Sequence, residues 1–578
     1  GAVDSASRTY NASFTTAKFG YHAWYGQTDW RVRPNLTLNL GLRYEIPVPR
    51  STDPIAFTSF DPNLTDPRSG LKGALAYAGN CQGCTGKSRF GEIDYSSWGP
   101  RLGLAWSLKQ KTVVRVGYGI YYSAGNGLTG GFCIRCQNGY SNTAGLSRPS
   151  TTGAALQWDS GFAPPANFLL PPIINPSAGN SADDIWYISP KSGVAPRFQN
   201  WSLSIQRELP WKLVAEVAYI GNRGTRLSAN HEPLNNLDPK YYALKDLLNK
   251  RIDDPAVVAA GYKSPYPNFI ADWGTSATLA RALRPYPQIN GPINNEYNPI
   301  GSSWYDSLQV KLDRRFGGLF LEANYTWSKA LTNASGSQTS GDSNNRNPKT
   351  DRPYSPNVLE FEKSFQYTDF PHIFNIVLAW DLPFGKNKRF LNNSIADRFF
   401  GGWTVSFSGN YTSGSLILLN APALTYPNWG FAYGRKRVNI VPGKAILTGV
   451  SRRDLDPRAG FLPNGTFDRS KATPWLNNDF YSIPGDFELG NSPTYLTQLR
   501  EPNNYNDNMG FIKRTRITET INIEIRGEFF NIFNRTNFGF TNPGAPYRPP
   551  TGDLARFGIP TIARTGPRAG QIVAKINF

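Results

Sequence analysis

Between residues 36 and 46 apolar and polar side chains alternate without a break. Leu36, Leu38, Leu40, Leu42, Tyr44 and Ile46 fall on one face of an extended chain, and Thr37, Asn39, Gly41, Arg43 and Glu45 fall on the other. A period of two marks a strand whose faces meet different surroundings. At roughly 3.3 Å per residue and a tilt of about 45°, such a strand is long enough to cross a hydrocarbon core. The chain stops on the same pattern: Ile572, Ala574, Ile576 and Phe578 share one face, and Gln571, Val573, Lys575 and Asn577 the other. An apolar strand at the margin of a soluble sheet invites edge pairing, whereas a barrel removes the margin by joining its last strand to its first.

Alternation recurs at residues 18–32, 98–108, 112–123, 200–209, 212–227, 304–316, 319–331, 372–383, 403–414, 509–517 and 520–533, which with the two stretches above predicts about thirteen strands. Tight turns are predicted at 33–35, 109–111, 210–211, 317–318 and 518–519, and long connections at 47–97, 124–199, 228–303, 332–371, 415–508 and 534–570. Short and long alternate. An up-and-down antiparallel barrel requires this when one rim carries minimal turns and the other large loops, and soluble domains seldom hold so many structureless loops beyond about 15 residues. Residues 384–402 fall on the short-turn rim but are longer, and residues 394–400 are predicted to form a short helix there. With Phe578 at the periplasmic rim, parity makes every tight turn periplasmic and every long loop extracellular. Tyr44, Trp106, Tyr122, Tyr325, Trp327, Trp380 and Trp403, near strand ends, suit the two interfacial girdles of a membrane barrel.

The composition is that of an all-β chain, with 55 Gly, 45 Pro, 13% aromatic residues and a single Met. No run approaches the roughly 18 consecutive apolar residues of a transmembrane helix, and mean hydropathy is −0.43. Neither fact bears against a barrel, whose strands show lipid only every second residue. The formal net charge is +19. Lys and Arg are scattered instead of clustered with aromatics, which argues against a nucleic-acid partner and for a polar lumen or loops that meet anionic lipid or substrate. Nothing in composition divides residues 1–578 into domains, so one large architecture is expected. Gly1, Ala2, Val3 and Asp4 carry no charged and apolar leader pattern, so a mature protein or a fragment is expected.

Three stretches resemble a specific family, the Oar-like TonB-dependent transporters of the bacterial outer membrane. They are Gln27-Thr28-Asp29-Trp30-Arg31-Val32-Arg33-Pro34-Asn35-Leu36 continuing through Glu45; Asp369-Phe370-Pro371-His372 followed by Leu382-Pro383-Phe384-Gly385; and Arg526-Gly527-Glu528-Phe529-Phe530-Asn531-Ile532-Phe533-Asn534-Arg535-Thr536-Asn537-Phe538-Gly539. The terminal aromatic Phe578 resembles the C-terminal signal that the barrel-assembly machinery reads. The resemblance implies a 22-stranded barrel, a plug inside it and a TonB-contacting segment. No plug pattern or TonB-box-like segment precedes Lys18, and about thirteen strands are fewer than 22. The chain is therefore expected to be the C-terminal portion of the barrel, lacking plug and N-terminal extension. The missing barrel half, or a second chain, is expected to complete it.

Candidate chemistry is sparse. Cys81-Gln82-Gly83-Cys84 and Cys133-Ile134-Arg135-Cys136 have the spacing of a four-thiolate zinc site, but both lie in loops predicted to be extracellular, where thiols are normally oxidised to disulfides. Three pairings are possible. His22, His231 and His372 have no second ligand at metal spacing, and no nucleophile elbow, P-loop or dinucleotide fingerprint is present. Trp429, Phe431 and Tyr433 are candidates for stacking on a sugar or peptide, or for packing loop on loop. Arg43, Glu45, Arg115, Lys311, Glu524, Arg526 and Glu528 are expected to face the lumen and set its polarity. The expected function is TonB-dependent uptake of a ligand captured by extracellular loops, with no catalysis and no cofactor. The alternative is a structural or adhesive barrel that binds surface partners through those loops. Expected partners are outer-membrane lipid, the assembly machinery, TonB through the missing N-terminal part, and a ligand the sequence does not identify.

Overall fold

The computed structural model describes residues 2–13, 16–123, 138–148, 154–181, 185–227, 234–291, 293–295, 299–334, 363–386, 388–391, 394–418, 438–456, 458–485, 487–488, 491–493, 495–518, 520–540, 558–560 and 562–578. Thirteen long strands form one antiparallel sheet in which chain neighbours are sheet neighbours throughout. They are β1 (Thr16–Arg33), β2 (Leu36–Asp53), β3 (Ser97–Lys109), β4 (Thr112–Tyr122), β5 (Arg197–Leu209), β6 (Leu213–Leu227), β7 (Gly301–Phe316), β8 (Leu319–Thr332), β9 (His372–Asp381), β10 (Trp403–Thr412), β11 (Asn504–Arg516), β12 (Asn522–Phe530) and β13 (Ala569–Asn577). The short strand Ser364–Phe365 adds to β8. β1 and β13 each ladder on one side, and no described pairing joins them.

The tight turns all lie at one rim, where local chemistry favours them. Gly317 and Gly318, between β7 and β8, both have positive φ (64° and 78°), as a two-residue hairpin turn matched to strand twist demands. The predicted helix at that rim is present as Ser394–Phe400. Asn577 of β13 pairs with Asn522 beside the β11–β12 turn, so the chain's last strand ends at the same rim.

The ladders carry one polar row across the sheet. Asn324 of β8 faces Asn375, which faces Asn410, which faces Asn506. The opposite face is apolar: Leu40 pairs with Leu102, Val217 with Val310, and Ile525 with Ala574. Aromatics flank this apolar face. Trp24, Tyr44 and Trp98 stack in a row on β1–β3, with ring centroids 6.1 and 4.0 Å apart. Trp106, eight residues beyond Trp98 on the same strand and face, sits near the short-turn rim. Eight residues span about 26 Å along a strand, or ~20 Å of depth at a barrel tilt of 35–45°, close to the roughly 25 Å apolar band of outer-membrane barrels.

The long connections depart from the expectation of structureless loops. Connections from β2–β3, β4–β5 and β6–β7 share one core of Phe60, Leu75, Tyr77, Tyr140, Ile185 and Ile289, built around the hairpin Thr58–Thr65 with Lys72–Tyr77. A second body, made of short helices between residues 237 and 280, buries Leu248, Val257, Phe269 and Leu279. A third gathers Ile417, Val438, Leu476, Phe480, Leu499 and Phe540. Apolar side chains in these connections are buried across separate turns, and in the first body across separate connections, so they are ordered without a strand's local period. Two further differences concern the first strands. β2 runs seven residues past Ile46, and Ser5–Asn11, ahead of the first predicted strand, pairs with Ser141–Ser147 in the β4–β5 connection.

Candidate functional site: the polar sheet face and the folded loops

All seven charged residues singled out in the sequence lie on the polar face, because the register links their strands without changing parity. Arg43 and Glu45 are on β2, Arg115 on β4, Lys311 on β7, and Glu524, Arg526 and Glu528 on β12. The structure brings them together in local groups, not in one centre. Glu45 is nearly buried at 5% exposure; it accepts from Arg43 Nε at 2.5 Å and from the Tyr21 hydroxyl at 2.7 Å, while Arg43 Nη2 donates to Tyr21 at 3.1 Å. Glu524 accepts from Arg514 Nε at 2.8 Å and from Arg526. Arg526 lies 4.0 Å from Glu528, to which Gln571 donates at 2.5 Å. Lys311 pairs with Glu322 at 3.4 Å, and Arg115 donates to Gln206 at 2.9 Å. Charges tied into pairs of this kind define a polar wall; they do not form a nucleophile and base set for reaction.

A groove of about 600 Å³ runs across the polar face of β1–β6. Its floor includes Gly41, Gly103, Gly117 and Gly119, and its sides carry amides of Gln27, Asn39, Asn200 and Asn222 with Arg101 stacked 4.7 Å from the Tyr121 ring. A Cβ at Gly117 would lie 2.9 Å from Ser202 Oγ, so the missing side chains keep the floor low. Sequence reading missed this groove. Its signal was the run of glycines at polar-face positions in three adjacent strands.

Parts of the family-like stretches form structural junctions at the long-loop rim, whereas residues 33–35 and 382–385 lie at the short-turn rim. Asp369 accepts the Ala330 amide at 2.6 Å and pairs with Arg500, whose Nη1 also reaches the Asp369 carbonyl at 2.6 Å. After β12, Asn531 and Asn534 adopt positive φ (49° and 50°). Asn531 holds the following turn through Arg535 N (2.8 Å) and Arg535 O (3.0 Å). Asn537 clamps Tyr505 on β11 through both of its backbone groups, at 2.9 and 2.8 Å.

Cys81 and Cys84 are disulfide-bonded to each other. Cys133, Cys136, Trp429, Phe431 and Tyr433 lie outside the described residues. Phe578 follows β13 at 98% exposure. Among the described residues no group of three His, Cys, Asp or Glu side chains is arranged to hold a metal ion. In the loop body Asp66 is buried. Burial works to raise its pKa, but hydrogen bonds from Ser177, Ser69 and Asn180 outweigh that and hold the carboxyl below its ordinary value. Burial pushes the nearby Tyr77 phenol up to about 12.

Residues 1–571 match the family described as outer membrane beta barrel domain. The chain belongs to that family. It is accordingly a protein of the bacterial outer membrane, which makes a large antiparallel sheet with one apolar face intelligible. No curated protein matches the sequence. Similar solved structures include FpvA of Pseudomonas aeruginosa bound to heterologous pyoverdines (9% identity, 98% of this chain and 39% of that chain, TM-score 0.36). Also similar are the ferric-catecholate import receptor Fiu of Escherichia coli K12 (8%, 97% and 45%, 0.36) and the outer membrane transporter YddB of E. coli (9%, 97% and 55%, 0.39). The chain thus spans between 39% and 55% of the length of these three proteins.

Proposed function

We propose that this chain forms wall and extracellular mouth of an Oar-like, TonB-dependent transporter, with the polar sheet face as lumen. The observation that carries the reading is the separation of faces. Thirteen consecutive antiparallel strands keep most charged and amide side chains on one side and present mainly aliphatic and aromatic ones on the other, with tight turns at one rim and folded loops at the other. The three family-like stretches support the TonB-dependent assignment. On this reading the loop bodies capture ligand, the glycine-floored groove and paired charges line the passage, and the protein acts by binding and conducting. Further strands, from the rest of the polypeptide or from a second chain, pair with β1 and β13, because open backbone edges are costly in hydrocarbon.

Uptake in cells tests the proposal. A strain lacking this protein is compared with its parent for accumulation of candidate sugars, peptides and metal chelates, with and without TonB. Accumulation that requires both this protein and TonB is the expected result. Accumulation that persists without TonB overturns the reading. Surface binding of a partner with no accumulation favours the structural or adhesive alternative.

A further inference from the structure

On its long-loop side the apolar face carries unneutralised cations a short way above its aromatic belt. On β5, β6 and β8 the belt at the long-loop side consists of Trp201, Tyr219 and Trp327. Four residues beyond Tyr219 on the same face stands Arg223, and two residues beyond Trp327 stands Lys329. Arg223 pairs in register with Trp304, and its guanidinium lies 5.7 Å from the centroid of that ring; Lys363 Nζ lies 4.2 Å from the same ring. Lys329 Nζ lies 5.5 Å from the ring of Phe365, which is held beside Leu331 by the short strand added to β8.

All three cations are exposed, and none has a carboxylate partner among the described residues. The acidic group in this patch is Asp306, opposite Lys329 in the ladder, and it accepts from the Tyr219 hydroxyl at 2.6 Å. Arg500, 6.0 Å from the Phe365 ring, is already committed to Asp369. Three cations against one carboxylate leave a net positive patch. Cations held over ring faces remain open on their other side to an anion.

We propose that Arg223, Lys329 and Lys363, seated on Trp304 and Phe365, bind the phosphate groups of a phosphorylated glycolipid in the outer leaflet. This rests on the barrel reading, which makes the apolar face the lipid face and the long-loop rim the outer one. The height fits. Arg223, four residues beyond Tyr219, stands about 13 Å along the strand and Lys329, two residues beyond Trp327, about 7 Å, which places both above the aromatic belt and at headgroup level, where anionic lipid attracts Lys and Arg.

The test uses the chain purified in mild detergent, with bound glycolipid counted per chain by native mass spectrometry. It is repeated after exchange into bilayer discs that carry the glycolipid with or without its phosphates. The variants are Arg223→Gln/Lys329→Gln/Lys363→Gln, the charge-preserving Lys329→Arg/Lys363→Arg, and Lys212→Gln at the opposite rim, where Lys212 lies 4.6 Å from the Phe316 ring. Expected is a drop in affinity on the order of tenfold or more in the triple variant and on removal of the phosphates, with the other two variants like wild type. Unchanged binding in the triple variant, an equal loss in Lys212→Gln, or indifference to the phosphates overturns the proposal. A nitroxide at Leu308 separates this from failure of the barrel reading. Quenching there by oxygen and not by a water-soluble nickel chelate keeps the face in lipid, so an unchanged triple variant then counts against the phosphate site alone.

Discussion

Arg535, in the turn after β12, lies 3.3 Å from the carboxylate of Asp507, a β11 side chain with no exposed surface. The Tyr411 hydroxyl donates to the same carboxylate, and the guanidinium also lies 5.2 Å from the rings of both Tyr505 and Phe533. The pair therefore fastens the β12–β13 connection onto β10 and β11 at the long-loop rim. Arg535→Ala leaves a buried carboxylate without its neighbouring cation, which costs roughly 1–3 kcal/mol. Urea unfolding in detergent is expected to show that loss, with faster proteolysis between residues 531 and 568. An unfolding midpoint within error of wild type would show that the junction holds without this ion pair.

The two faces of β2 make opposite predictions from adjacent residues. Leu40, four positions from Tyr44 and from Leu36, sits mid-band on the apolar face, and Asn39 sits beside Asp29 on the polar face. Leu40→Arg is expected to cost about 2–4 kcal/mol in a bilayer, and Asn39→Arg far less. Equal folding of the two variants in lipid vesicles would count against the assignment of faces.

How far the sequence disclosed this arrangement depended on what each segment is packed against. Leu36 to Ile46 and Ile572 to Phe578 separate two environments, so their alternation is written locally and the thirteen strands were legible from it. Tyr77, Phe269 and Phe480 are fully buried in loops; Tyr77 shares its core with Ile289, more than a hundred residues away in another connection, while Phe269 and Phe480 pack mostly within their own connections against residues brought in from separate turns. No local period records such a contact. The outward cations were hidden for a related reason: Arg223, Lys329 and Lys363 are scattered in sequence and converge only through the register of β6, β7 and β8.

Acid is expected to loosen the first loop body. The Asp66 carboxyl is held below its ordinary value of 3.8, so the stabilisation it gives is complete above that value and is lost as pH falls through the native one. Asp66 joins residues 69, 177 and 180 across two connections. Asp66→Asn is expected to cost about 2–4 kcal/mol locally at neutral pH and to flatten the acid response. Amide hydrogen exchange of residues 58–77 between pH 3 and 6 reads both effects; a wild-type profile as flat as the variant's would refute the assignment.

Both C-x-x-C pairs are expected to be oxidised in the isolated protein. Cys81–Cys84 closes a four-residue loop, for which chain-entropy reasoning allows only about 2 kcal/mol. Cys84→Ser should therefore leave the barrel intact and loosen its loop. Mass spectrometry without reductant should find no free thiol. Four free thiols, or one zinc ion per chain, would overturn this expectation.

Direction along the sheet gives the last prediction. β1 runs into the turn at residues 34–35, and β13 ends beside the turn at 517–521, so both run toward the short-turn rim. Thirteen antiparallel strands make this unavoidable, and two strands running the same way cannot pair as neighbours in a barrel that is antiparallel throughout. Closure then needs an odd number of further strands between β13 and β1, a condition that nine more strands in a 22-stranded barrel meet. Cysteines introduced pairwise at Trp24, Gly26 or Thr28 on β1 and at Ile572, Ala574 or Ile576 on β13 all lie on the apolar face and report on contact between the two edges. None of these pairs is expected to cross-link within one chain in the outer membrane. A high-yield intramolecular cross-link at any register would mean that β1 and β13 meet directly, and the proposal of additional wall strands would fall with it.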